Sequence, residues 1–168
     1  SLGPYNALLR TPMIDVSSAR ANSVRVSFDS SWRPEDLQRA MLRVSFDNGP
    51  HQTLLDWRSE AGDLFHPDST NERVVIDIPN PAGAMGMLIE FAMLDAANDW
   101  WWAIDHLVIT AQCAAEFGGD PGTVNFFDIS LFLIAFQNRD PAADLNGDQA
   151  FNFFDVQTFI QAFLNGCA

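Results

Sequence analysis

This sequence predicts an antiparallel β-sandwich over residues 1–111 followed by a small α module over residues 112–168, and three observations carry that prediction. In the first part, short runs alternate polar and apolar residues and end in turn chemistry. In the last part, a thirteen-residue segment recurs with helical spacing. Composition shifts between them at Gln112-Cys113-Ala114-Ala115: all five Trp lie before that junction and ten of the fourteen Phe after it.

The strands come first. Ser23-Val24-Arg25-Val26-Ser27-Phe28 alternates polar and apolar, and Met41-Leu42-Arg43-Val44-Ser45-Phe46 nearly repeats it. Asp47-Asn48-Gly49-Pro50 then supplies a hairpin turn leading into Gln52-Thr53-Leu54-Leu55-Asp56-Trp57. Further strands are Arg73 to Ile78, stopped by Pro79-Asn80-Pro81, then Met87 to Met93 and Trp101 to Thr110. No amphipathic stretch of helix length separates these runs, which argues for antiparallel neighbours rather than helical crossovers.

In the α module, Val124 to Phe136 aligns with Phe151 to Phe163, 27 residues later, with seven of thirteen positions identical. Ile129, Phe132, Leu133 and Phe136 recur at helical spacing in one copy, Val156, Phe159, Ile160 and Phe163 in the other. Each helix is too short to stand alone, so the two are expected to bury these faces together. The phenylalanines are expected to be core.

Directly before the second helix runs Asp144-Leu145-Asn146-Gly147-Asp148-Gln149-Ala150-Phe151-Asn152-Phe153-Phe154-Asp155. Calcium takes six to eight oxygens, and a twelve-residue loop delivers them from places one, three, five, nine and twelve, with a backbone carbonyl at seven. Those places hold Asp144, Asn146, Asp148, Asn152 and Asp155, and Ala150 supplies the carbonyl. An Asp/Asn-rich surface turn is the bland alternative, but it explains neither the register nor the helix that follows. Gln149 stands at the sixth place, where Gly is usual, at a cost of about 1 kcal/mol. The first copy is less regular: Asn125, Asp128 and the Thr123 carbonyl fall in place, but Pro121 falls where an acid belongs. One residue inserted near Pro121-Gly122 returns Glu116 and Asp120 to ligand places. Either this loop is a distorted second site, or it has lost its metal and is held by Cys113; both readings stand.

Cys113 and Cys167 bracket the module with 53 residues between them. That placement favours a staple over two free thiols, worth about 4 kcal/mol in the loop-entropy model, and implies an oxidising, exported location. Paired loop-helix units with Asp at the twelfth place resemble type I dockerin modules, whose units are of EF-hand type. Asn-Phe-Phe-Asp in both copies and the late Gly166-Cys167 resemble dockerin-like C-terminal anchors of secreted bacterial proteins. The resemblance implies calcium-dependent folding, an extracellular or cell-surface location, and docking onto a protein partner or a neighbouring copy. Cellulosomal dockerins meet cohesins through exposed Ser/Thr and Lys/Arg pairs, whereas Ser130-Leu131 and Gln157-Thr158 stand at those positions here.

Asn98-Asp99-Trp100-Trp101-Trp102-Ala103-Ile104-Asp105-His106-Leu107 is similar to the final strand of MAM-like or laminin-G-like jelly rolls, which implies a jelly-roll sandwich. Along that strand Trp100, Trp102 and Ile104 share one face, and Trp101, Ala103 and Asp105 the other. An exposed ring among Trp100, Trp101 and Trp102 would suit a glycan or an interface; rings filling the core are the stronger reading, given Met85, Met87, Met93 and Leu94 nearby.

A formal charge of −13, with nine Arg and no Lys, excludes nucleic acid as a natural partner. No apolar run reaches the ~20 residues that would insert into a membrane, and because Ser1-Leu2-Gly3-Pro4-Tyr5 is not leader-like, any export signal is expected to have been removed or to lie outside these residues. His51, His66 and His106 lack zinc spacing, and there is no nucleophile elbow or phosphate loop. The chain therefore reads as a secreted, non-catalytic module pair for anchoring or recognition. A subunit of an extracellular fibre or surface layer and a carbohydrate-binding module are the alternatives.

Overall fold

A computed structural model describes residues 4–97, 101–118 and 123–166. Eight strands precede two helices: β1 (Tyr5–Arg10), β2 (Ile14–Asp15), β3 (Val24–Arg33), β4 (Arg39–Phe46), β5 (Gln52–Arg58), β6 (Ser69–Ile78), β7 (Gly86–Ala96), β8 (Trp101–Thr110), α1 (Phe126–Gln137) and α2 (Phe153–Asn165). One sheet has the order β1-β7-β4-β5, with β2 also on β7; the other has the order β6-β3-β8. The protein is thus mainly β, with two antiparallel sheets and two helices.

Strict alternation along β3 does the sorting. Val24, Val26, Phe28, Ser30 and Trp32 are buried, while Arg25, Ser27, Asp29, Ser31 and Arg33 face the other way. Phe28 meets Phe91 of β7 edge-on with centroids 5.2 Å apart, and Trp102 of β8 meets Phe91 at 5.7 Å, so the two sheets face each other across an aromatic core. The β4–β5 hairpin turns as its sequence demands. Asp47 and Asn48 take φ 51° and 60°, and the Gly49 N–H donates to the Phe46 carbonyl at 2.7 Å.

Within the first sheet one ion cluster is buried. Glu90 of β7 is 1% exposed and bonds Arg10 of β1 and Arg43 of β4. Burial by itself would raise the Glu90 carboxyl, but the two guanidinium groups more than offset that and hold it below its ordinary range.

The residues fall into two compact units. One comprises Ser1–Ile14, Val26–Ile76 and Gly86–Ile109; the other joins Asp15–Arg25 and Asp77–Met85 to Thr110–Ala168. Inside the second unit Ala19 bridges Cys113, the Arg20 N–H donates to the Gln112 carbonyl at 2.7 Å, and the Ala114 N–H donates to Ser18 at 2.9 Å. Asn80 organises the same region. Its Oδ1 accepts from the N–H groups of Ser23 (2.9 Å) and Val24 (3.0 Å), and its Nδ2 donates to the Arg20 carbonyl (2.9 Å). Asn80→Ala leaves the Ser23 and Val24 N–H groups without their acceptor and the Arg20 carbonyl with Ser23 Oγ alone, and a loss of about 2–3 kcal/mol is expected, measured as a lower urea midpoint with unchanged slope.

The helices pack as the repeat predicts at their centres. Phe132 and Phe159 stack at 4.2 Å, over a core that includes Ala115, Ala143, Leu145 and Ala162. The expectation of an all-core set of phenylalanines is corrected, however. Phe126, Phe127, Phe153 and Phe154 are 61–73% exposed, and Leu133 and Ile160 are about half exposed. The four rings sit at the first two positions of each helix, off the inner stripe that Phe132 and Phe159 define.

Candidate functional site

Both helices start with the same device. Asn125 and Asn152 are N-caps, and their side-chain oxygens accept from the N–H groups of Phe127 and Phe154 at 2.8 Å. Asp128 and Asp155, three residues on, reach back to the cap N–H groups at 2.9 Å, closing a capping box. Their remaining oxygens reach further. Asp155 Oδ1 accepts from Leu145 (2.9 Å) and Asn146 (3.4 Å); Asp128 Oδ1 accepts from Phe117 (2.9 Å) and Gly118 (3.1 Å). Both carboxylates are fully buried. Burial pushes the Asp128 carboxyl up, and the N–H groups of Asn125, Phe117 and Gly118 outweigh it, leaving it lowered.

These bonds fix the register of the two repeats. Phe117 matches Leu145, yet Asp128 follows Phe117 by 11 residues and Asp155 follows Leu145 by 10. The first loop is one residue longer, and Glu116 stands where Asp144 stands in the second. Of the first-loop residues, Glu116, Thr123, Asn125 and Asp128 lie within the described chain, and Asp120 lies outside it. Arg20 extends its guanidinium 5.1 Å over the Phe117 ring and donates to the Glu116 carbonyl at 3.4 Å.

The second loop coils around its own acids. Asp144 accepts from the N–H groups of Asp148 (3.1 Å) and Gln149 (2.9 Å), Asn146 accepts from Asp148 (3.0 Å), and Asp148 accepts from Ala150 (2.8 Å). The Ala150 N–H, then the Asn146 amide, hold the Asp148 carboxyl below its ordinary range. Gly147 and Gln149 take φ 72° and 63°, so the sixth place does adopt the left-handed turn, with a side chain on it. Asn152 donates from Nδ2 to the Ala150 carbonyl at 3.1 Å.

As a donor set this is all oxygen, and each loop carboxylate keeps lone pairs beyond those its N–H partners use, which suits a hard cation. Asp155 differs in reach: its two oxygens accept from Leu145 and Asn146 at the start of the loop and from Asn152 at the cap of α2, so it holds loop and helix together. Among the described residues no group of three or more His, Cys, Asp or Glu side chains is gathered as for a metal ion.

No family model matches this chain, and no curated protein matches it. Among solved structures, the carbohydrate-binding module TmCBM61, in complex with β-1,4-galactotriose, is similar with a TM-score of 0.43 and 16% identity over 66% of each chain. The chain thus spans about two thirds of that protein's structure. A likeness of that size transfers neither fold detail nor ligand.

Cys113 is buried and is not a free thiol; Cys167 lies outside the described residues. Trp100 also lies outside them. Trp102 is drawn into the core, with its Nε1 on Ser30 Oγ at 3.0 Å. Trp101, on the opposite face, is 42% exposed, bonds Ser31 Oγ at 3.2 Å, and has the Arg33 guanidinium 5.6 Å from its ring. The core reading therefore holds for Trp102 and fails for Trp101, because neighbours on a strand point to opposite faces.

Proposed function

We propose that this protein is a secreted, non-catalytic recognition or anchoring module pair, in which a jelly-roll sandwich is joined to a dockerin-like module ordered by calcium. The single observation that carries the proposal is the coil of Asp144, Asn146 and Asp148 side chains around the turn at Gly147-Gln149. Those residues, with the Ala150 carbonyl and Asn152, would hold the ion, and Asp155 would lock the loop to α2. A bound ion supplies charge neutralisation for a loop that otherwise crowds two carboxylates. Glu116, Asp120, Thr123, Asn125 and Asp128 would form the companion site, and a Cys113–Cys167 disulfide would close the module. A protein partner or a second copy of the chain, as in a fibre or surface layer, then uses the ordered helices.

Calorimetric titration of calcium into the metal-stripped full chain tests this. Saturable heat and a rise in Tm are expected, since a ligand at 100 times its Kd adds about 2.7 kcal/mol to stability. Asp148→Ala, a fully exposed change, should abolish the heat of the second loop. No heat and no Tm shift in the unaltered chain would reject the proposal.

A second reading, glycan recognition by the sandwich, is favoured by Trp101, an indole both exposed and pinned at its N–H.

A further inference from the structure

The face of β6-β3-β8 that carries Trp101 is hollowed into an open groove of about 520 Å³, lined by Asp29, Ser30, Ser31, Asn71, Asp105 and His106 among others. Ser31, which holds the Trp101 indole, is part of that lining. Two lining residues are conformational outliers within strands: Asn71 in β6 has φ 62° and His106 in β8 has φ 48°. A non-glycine residue so placed is strained, and such strain collects where the surroundings use it.

The polar groups interlock. Asp29 accepts from Arg73 Nη1 at 3.0 Å and faces His106 Nδ1 at 3.2 Å, and that nitrogen lies 3.5 Å from Asp105. Arg73 also donates to Ser27 at 2.8 Å, so both ends of the array are fixed. Asp105 accepts from the His106 N–H at 2.7 Å and still leaves its side chain 83% exposed, with lone pairs open to the groove.

The chemistry of the occupant follows by elimination. A cation is disfavoured, because Asp29 is already engaged by Arg73 and faces His106, and among the described residues Asp29, Asp105 and His106 are not gathered as for a metal ion. An anionic polymer meets two carboxylates on a chain of net charge −13. An apolar ligand would strip water from the open sides of Asp29, Asn71 and Asp105 and offer no hydrogen bond in its place. A neutral polyhydroxylated molecule satisfies all of them: its hydroxyls pair with carboxylate, amide and imidazole, and its C–H face covers the indole. We infer that this groove binds a neutral saccharide, with Trp101 as the platform and Asp29, Asn71, Asp105 and His106 as hydroxyl partners. The inference rests on the glycan reading and gives it a location and a ligand class.

The test is calorimetry of the full chain, at fixed calcium, with cellotriose, xylotriose and mannotriose, and with trigalacturonate as the anionic comparison. At least one neutral trisaccharide should bind, Trp101→Ala should weaken it at least tenfold, and Asp105→Asn should weaken it with Tm unchanged. Binding that neither variant disturbs overturns the groove but leaves the glycan reading standing. Tighter binding of trigalacturonate overturns the ligand class, and failure of all three neutral sugars overturns groove and glycan reading together.

Discussion

Asp155→Ala should unfold the start of α2 and the loop before it, with a loss on the order of 4 kcal/mol. The residue is fully buried, and its carboxylate answers the N–H groups of Leu145, Asn146 and Asn152. Alanine leaves those donors without their acceptor, the Leu145 N–H in a fully buried position and the other two in partly buried ones. Amide hydrogen exchange should report the change as lost protection at Leu145 and through the first turn of α2. Because these bonds are made by the chain alone, the loss should persist in excess chelator. A variant harmed only when calcium is present would show that Asp155 acts through the ion instead. Asp155→Asn keeps one acceptor oxygen and should lose less.

Glu90→Leu should be the most damaging change in the sandwich. It leaves Arg10 and Arg43 facing each other across β7 with no counter-charge. Removing one partner of a buried ion pair costs about 3–5 kcal/mol, and the lower end is expected because Arg10 is half in solvent. In a chain of this size that is a Tm drop on the order of 6–12 °C. The acid limb gives a second readout. Glu90 is held below its unfolded value, so its contribution is present above the unfolded carboxylate range and is lost as pH falls through the folded value. The variant should lack that part of the acid slope in a series of melts from neutral pH downward.

The strands with buried alternation, the Asp47-Asn48 turn and both helices were legible in the sequence because each rests on a local pattern. β1 was not. Tyr5 to Arg10 joins β7 by backbone pairing, and all six residues are exposed, so no periodicity marks it. The repeated Asn-Phe-Phe-Asp was ambiguous in a more instructive way. Places nine and twelve of a calcium loop are also the cap and third position of a helix, so one pair of residues satisfies two templates. Ligand logic reads those side chains as oxygen donors to an ion, and the backbone bonds that Asp128 and Asp155 make were not legible in it. Alternation also sorted Trp101 from Trp102 but could not say which side met water. The groove beside Trp101 was invisible, since it is assembled from β3, β6 and β8 and marked by two left-handed residues that no sequence rule singles out.

The unit that holds the helices also contains Asp15–Arg25 and Asp77–Met85, with Ala19 against Cys113 and Arg20 over Phe117. Portability suffers as a result. A tag made by cutting the chain at Gln112 and fusing the tail to an unrelated cargo would leave behind two strips of its own packing. The transferred helices would reach their new host with bare edges, prone to clumping.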